Sequence, residues 1–170
     1  MKQETVRLLF SYNRGHLYWN PRPREAFRSY SAFVMWNKRY AYAPAGAINH
    51  RGYVRIGIAK KYYMAHRLIW LYHRGWLPDA LDHKNGNPSD NRMSNLRPAT
   101  QTENRWNSKR RQQTTTNTKG VYRRPSGHYE AHICADYKRL HLGTFEKKQD
   151  AIRAVSKARK ELHRQFARHR

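Results

Sequence analysis

Leu81-Asp82-His83-Lys84-Asn85-Gly86-Asn87-Pro88-Ser89-Asp90, continued by Asn91-Arg92-Met93-Ser94-Asn95-Leu96-Arg97, is the stretch on which the fold turns. Leu81-Asp82-His83 is short and strand-like. From Asn85 to Asp90 the residues are turn formers, which tolerate left-handed backbone or bond their own main chain. Residues 96–100 predict a second short strand, interrupted by Pro98. Thr102 predicts the cap of a helix running into Ser108-Lys109-Arg110-Arg111. Strand, loop, strand and helix can bring the Asp82-His83 pair and a helix-borne Asn104 onto one centre.

Upstream, residues 64–74 place Ala65, Leu68, Ile69 and Tyr72 at helical spacing, with Gly75 as the stop. Residues 52–58 alternate as a half-buried strand does. Residues 1–62 read as a β-rich stretch of short apolar runs and turns, with Trp19, Trp36 and Tyr40 expected in the core. Downstream, residues 112–118 are polar, lack apolar side chains and read as a linker. Strand-like runs follow at residues 120–124, 129–135 and 139–142. A final helix from about Lys148 repeats apolar spacing at Ile152, Val155, Arg159 and Leu162, with Phe166 one turn later. The expected segments are 1–62, a core at 63–111, a linker at 112–118 and a separate module at 119–170.

Charge narrows the class of partner. Thirty-five Lys and Arg against eleven Asp and Glu give a formal +24, and no acidic residue falls from Ala26 to Pro78 or from Arg105 to His128. Such a surface fits a polyanion whose phosphates release condensed counterions on binding. A generic basic face would carry the same charge, so the balance says nothing about chemistry. Hydrophobic residues make up 38% of the chain and no apolar run approaches the length of a membrane span. Met1–Thr5 is polar and charged, unlike a secretion signal, and the expectation is a soluble protein of the cytoplasm. Cys134 is the only cysteine, which excludes an internal disulfide and any zinc site built on paired thiolates.

The informative segment is Asp82-His83, then Asn91-Arg92, Asn95-Leu96-Arg97 and Asn104. Phosphodiester hydrolysis needs an activated water, a cation for the charge on phosphate and help for the leaving oxygen. Histidine suits the base, and a carboxylate with an amide oxygen suits Mg2+. His66-Arg67-Leu68, Asp82-His83-Lys84-Asn85-Gly86, Asp90-Asn91-Arg92, Asn95-Leu96-Arg97 and Glu103-Asn104 together resemble the HNH (ββα-metal, His-Me finger) nucleases. The resemblance is closest to phage and group I intron homing endonucleases. It implies that His83 is the general base and Asp82 a metal ligand, and that Asn95 bonds across the loop to orient the base. Asn104 stands where many members have His, which implies the HNN branch and makes it the second ligand. Asn85, Asn91 and Arg92 are expected to shape the loop, and His66 and Arg67 to pack or touch phosphate.

Residues 119–166 resemble an AP2 DNA-binding domain through Lys119-Gly120-Val121-Tyr122-Arg123-Arg124-Pro125-Ser126-Gly127, Tyr129-Glu130-Ala131-His132-Ile133, Leu142-Gly143-Thr144-Phe145, Asp150-Ala151 and Ala154. Strand alternation sends Val121, Tyr129, Ala131, Ile133, Leu140 and Leu142 towards the helix. Tyr122, Arg124, Ser126, His128, Glu130, His132, Arg139 and His141 then share the other face. Ser126 and Cys134 depart from the family pattern, so base specificity does not carry over. A basic α+β module for RNA or protein is the alternative. The reading is an α+β protein: a ββα-metal nuclease core with an AP2-like three-stranded sheet and helix. The expected DNA contacts are Arg97, Arg105, Lys109, Arg110, Tyr122, Arg124, His132, Arg139 and His141. The expected cofactor is Mg2+, with Mn2+ as the alternative. The expected partner is double-stranded DNA, with no membrane and no protein partner. A strand-nicking monomer of phage or mobile-element origin is implied, and the rival is a catalytically silent DNA-binding regulator.

Overall fold

Leu68, Ile69, Trp70 and Leu71 are all buried on helix α3 (Ala65–Arg74), which organises the first part of the chain. In this computed structural model residues 1–107, 116–135 and 138–163 are described, the Arg105 side chain excepted. Lys109, Arg110, most of the expected linker and Phe166 lie outside the described residues. The chain forms two compact units, Met1–Pro98 and Ala99–Arg170.

In the first unit α3 ends where expected. Gly75 adopts φ 78°, a left-handed conformation that glycine takes without a Cβ penalty, and its N–H closes the helix on Leu71 O at 3.0 Å. Helix α1 (Gln3–Leu9) packs beside it: Gln3 Nε2 and Arg7 Nε both donate to Tyr72 O, at 2.9 and 3.0 Å. Val6, Phe10, Leu17, Ile56 and Leu81 join α3 in one core. Each such side chain contributes about 1.5–3 kcal/mol on burial. Strands β1 (Phe10–Asn13) and β2 (His16–Trp19) form an antiparallel hairpin, and β3 (Ala47–Ile48), β4 (Val54–Ile58) and β5 (Lys61–Met64) a three-stranded sheet. On β4, Ile56 and Ile58 are buried while Arg55 and Gly57 are exposed, the alternation expected.

The N-terminal reading in strands and turns lacked two helices, α1 and α2 (Tyr30–Tyr40). Helix α2 buries no residue fully, so its apolar period is weak; Ser29 Oγ caps it by accepting from Ala32 N at 3.2 Å. Trp19 is buried and Trp36 packs edge-on against it, with the Arg22 guanidinium 4.1 Å above the Trp36 ring. Tyr40 is 37% exposed, at the rim of that cluster rather than within it. Strands β6 (Ala80–His83) and β7 (Leu96–Ala99) pair as a two-stranded sheet.

The second unit begins with α4 (Gln101–Asn107). Its cap is Thr100 rather than Thr102. Thr100 Oγ1 accepts from Glu103 N at 3.2 Å and Glu103 Oε2 accepts from Thr100 N at 2.7 Å, a reciprocal box that satisfies two backbone donors. Trp106 of α4 stacks on His163 with ring centroids 4.3 Å apart. Lys119 Nζ donates to Trp106 O at 3.0 Å. Helix α4 thus bonds residues of its own unit.

The three expected strands are β8 (Val121–Arg123), β9 (Tyr129–Ala135) and β10 (Lys138–Phe145), antiparallel in the order β10-β9-β8, with α5 (Lys148–His163) packed on one face. Val121, Ala131, Ala151 and Val155 form their core. Leu140 and Leu162 were expected inside but are 40% and 41% exposed. Leu140 stands on the edge strand, opposite Ile133, while Leu142, at the register shift between His141 and Gly143, packs against the core as expected. Among the described residues no helix is long and apolar enough to cross a membrane.

Candidate active site

The β6–β7 sheet and its loop place Asp82, His83, Asn91 and Asn95 together, all buried. Such polar groups stay inside only when partnered, and the loop supplies the partners. Lys84 N donates to Asn95 O at 2.8 Å, and Asn85 N to Asn95 Oδ1 at 3.1 Å. Asn95 Nδ2 reaches Asn85 Oδ1 at 3.1 Å and Asp90 O at 2.7 Å. Asn95 thus ties the loop across its mouth. Arg92 grips Asp90 through Nε and Nη2 at 2.8 and 2.6 Å, and this pairing brings the Asp90 carboxyl down to about 2. The turn between β1 and β2 presses on the same loop. Gly15 has φ 93°, and a Cβ there would lie 2.9 Å from Arg92 N, so only glycine allows the approach.

The side chain bonded to the His83 ring is that of Asn91, whose Oδ1 lies 3.0 Å from Nε2. An amide oxygen can only accept, so Nε2 carries the hydrogen and a neutral ring has its lone pair on Nδ1. Asn91 had been read as a loop-shaping residue. Its place eight residues after His83 in Asp90-Asn91-Arg92 was visible, but the resemblance gave the orienting role to Asn95, whose side chain instead bonds Asn85 and Asp90. Around the ring stand His66, with centroids 5.1 Å apart, and Tyr53 at 6.0 Å. His66 is pushed down to about 3, chiefly by burial and then by His83 and Arg67. Its Nδ1 is buried without a hydrogen-bond partner. The His66 ring packs directly against that of His83.

Asp82 pairs with Arg97: Nε and Nη2 lie 2.8 and 2.6 Å from Oδ2. Arg97, expected to touch DNA, keeps 12% of its side chain exposed and spends its guanidinium on this carboxylate. A buried carboxylate beside the histidine is a hard oxygen donor, so the residues fit a divalent metal at this point. Asn104 belongs to the second unit, on α4, where its N–H donates to Thr100 O at 3.0 Å.

In the second unit the outer sheet face carries the other expected DNA contacts. Tyr122 pairs with Glu130, His132 with His141, and Cys134 with Arg139 in the strand register, so their side chains share a face. Tyr122 is 42% exposed and the Arg139 guanidinium lies 5.0 Å from its ring centroid. Arg124 pairs with Glu130, bringing that carboxyl down to about 2, and Glu130 also meets His132. Arg105 is on α4 without a described side chain.

A family profile described as HNH endonuclease matches residues 63–106. Protein 3.8 of Escherichia phage T7 is 31% identical over 120 residues, which span 65% of this chain and 96% of the phage protein. No solved structure matches.

Proposed function

Because the chain belongs to the family of that phage protein and carries an HNH endonuclease domain, a nuclease module, we propose that it is a metal-dependent DNA endonuclease that nicks one strand. The observation that carries this reading is the buried His83 ring bonded to Asn91, next in the strand to the buried Asp82 carboxylate. His83 takes the proton of the attacking water at Nδ1, while Asn91 fixes the ring through Nε2 and Asn95 keeps the loop in shape. When bound, a divalent ion would supply positive charge to the phosphate and the leaving oxygen; Asp82 would hold it, and Asn104 is the second ligand that the family resemblance implies. Mg2+ is the ion proposed, with Mn2+ as the alternative, because the donors are hard oxygens.

In this proposal Tyr122, Arg124, His132, Arg139 and His141 form the targeting surface of an AP2-like module, and Arg97, Arg105, Lys109 and Arg110 are DNA contacts of the nuclease segment. A monomer with one such site nicks, as a homing-type enzyme of phage or mobile-element origin would in its host's cytoplasm. One observation favours the rival reading of a silent DNA-binding protein: Arg97 already occupies Asp82 Oδ2. Supercoiled plasmid with Mg2+ separates the two. A relaxed circle that disappears with EDTA supports the enzyme, and a gel shift without relaxed product overturns it.

A further inference from the structure

Glu130, His132 and His141 stand together on the outer face of the β8–β9–β10 sheet, with one potential ligand atom from each within 4.8 Å of the others. Backbone geometry alone brings them there. Glu130 and His132 are two apart on β9 and so project from the same side. His141 is the direct cross-strand partner of His132 on β10. The bulge follows at once, between His141 and Gly143, where the ladder loses regular pairing.

The bonding within the cluster leaves ligating capacity unspent. Arg124 takes Glu130 Oε1, which turns Oε2 towards His132 Nε2 at 3.3 Å. That is also about the spacing of two ligands on a tetrahedral ion with bonds near 2.0–2.1 Å. The other ring nitrogen of His132, Nδ1, is buried with no hydrogen-bond partner. His141 Nε2 reaches Thr144 Oγ1 only at 3.5 Å, and the two imidazole centroids are 4.9 Å apart. Two imidazoles and a carboxylate are a donor set that a divalent transition ion takes.

We propose that Glu130, His132 and His141 form a second metal site, separate from the nuclease centre, for a borderline transition ion of the Zn2+ class. Two imidazole nitrogens and one carboxylate select such an ion over Mg2+, which prefers oxygen donors and keeps its water. Three protein ligands leave a fourth position to solvent. The ion clamps β9 to β10 immediately before the bulge and adds positive charge to the face bearing Tyr122, Arg124 and Arg139.

The test uses the full chain without an affinity tag, stripped with EDTA and titrated with Co2+, whose visible absorption intensifies in a tetrahedral site. The wild type should gain that band with one equivalent, and Zn2+ should abolish it. His141 is exposed, so His141→Ala preserves the fold, and it should weaken Co2+ binding by more than the about 10–100-fold typical of losing a second-shell partner. Glu130→Gln should weaken it similarly, while Asp82→Ala should leave the band in place. No band in the wild type, an unchanged titration in His141→Ala, or a band lost only in Asp82→Ala would each overturn the proposal.

Discussion

Replacing Asn91 by Ala removes the side chain that holds the His83 ring, and the loss should appear in the rate of chemistry. Neither group can recruit bulk water in compensation, because His83 is 5% and Asn91 2% exposed. The bond strengthens as His83 becomes an imidazolium, so its loss acts on the transition state more than on bound DNA. A hydrogen bond to a charged group is worth about 1.5–3 kcal/mol, which converts to a rate about 10–150-fold lower. The assay is single-turnover nicking of supercoiled plasmid at saturating enzyme, followed from about pH 5 to 8, where histidine titrates. Asn91→Ala also leaves Nε2–H buried without its partner, costing about 1–3 kcal/mol of stability, so rates are compared well below both unfolding transitions. Asn91→Asp provides an independent sign. A carboxylate facing Nε2–H favours the imidazolium, and because the base must be neutral the acid limb of the rate moves to higher pH. Wild-type rates in Asn91→Ala together with an unshifted acid limb in Asn91→Asp would refute the reasoning.

His83→Ala should lower nicking about 10²–10⁴-fold with DNA affinity retained in a gel shift, and turnover at the wild-type rate would remove His83 from the mechanism. Asp82→Ala should abolish EDTA-sensitive nicking and, by stranding the largely buried Arg97, lower the urea midpoint by the equivalent of about 3–5 kcal/mol. In Asp82→Leu/Arg97→Met stability should return without activity, whereas activity in the double variant would exclude Asp82 as a ligand. His66 bears on acid stability. Its folded pKa is depressed to about 3, so between about pH 6.5 and 3 the unfolded chain binds a proton that the folded chain does not. Stability is therefore intact above about pH 6.5 and falls towards pH 3, by at most about 1.4 kcal/mol per unit from this group. His66→Phe should flatten that decline in urea titrations read by tryptophan fluorescence, and parallel pH profiles would show that His66 titrates normally.

Elements that bury one face wrote themselves into the sequence, because a period of two or of about 3.6 is all that a strand or helix needs to choose its inside. The α3 helix with its Gly75 stop, the alternating β4 strand, the Asp82-His83 strand and the shared face of Tyr122, Glu130, His132 and His141 were all readable this way. Helix α2 was not, since it buries no residue fully and so carries little period. Nor did the sequence show that Asn91, rather than Asn95, meets the His83 ring. Both are asparagines in one loop, and which amide meets His83 depends on the backbone path through Gly86 and past Gly15, a question of packing rather than of residue type. The same holds for Arg97 turned inward onto Asp82, and for Trp106, which carries α4 into the C-terminal unit by stacking on His163. Local chemistry determined which residues could act; only tertiary contacts, which join positions with no periodic relation, decided which of them hold one another.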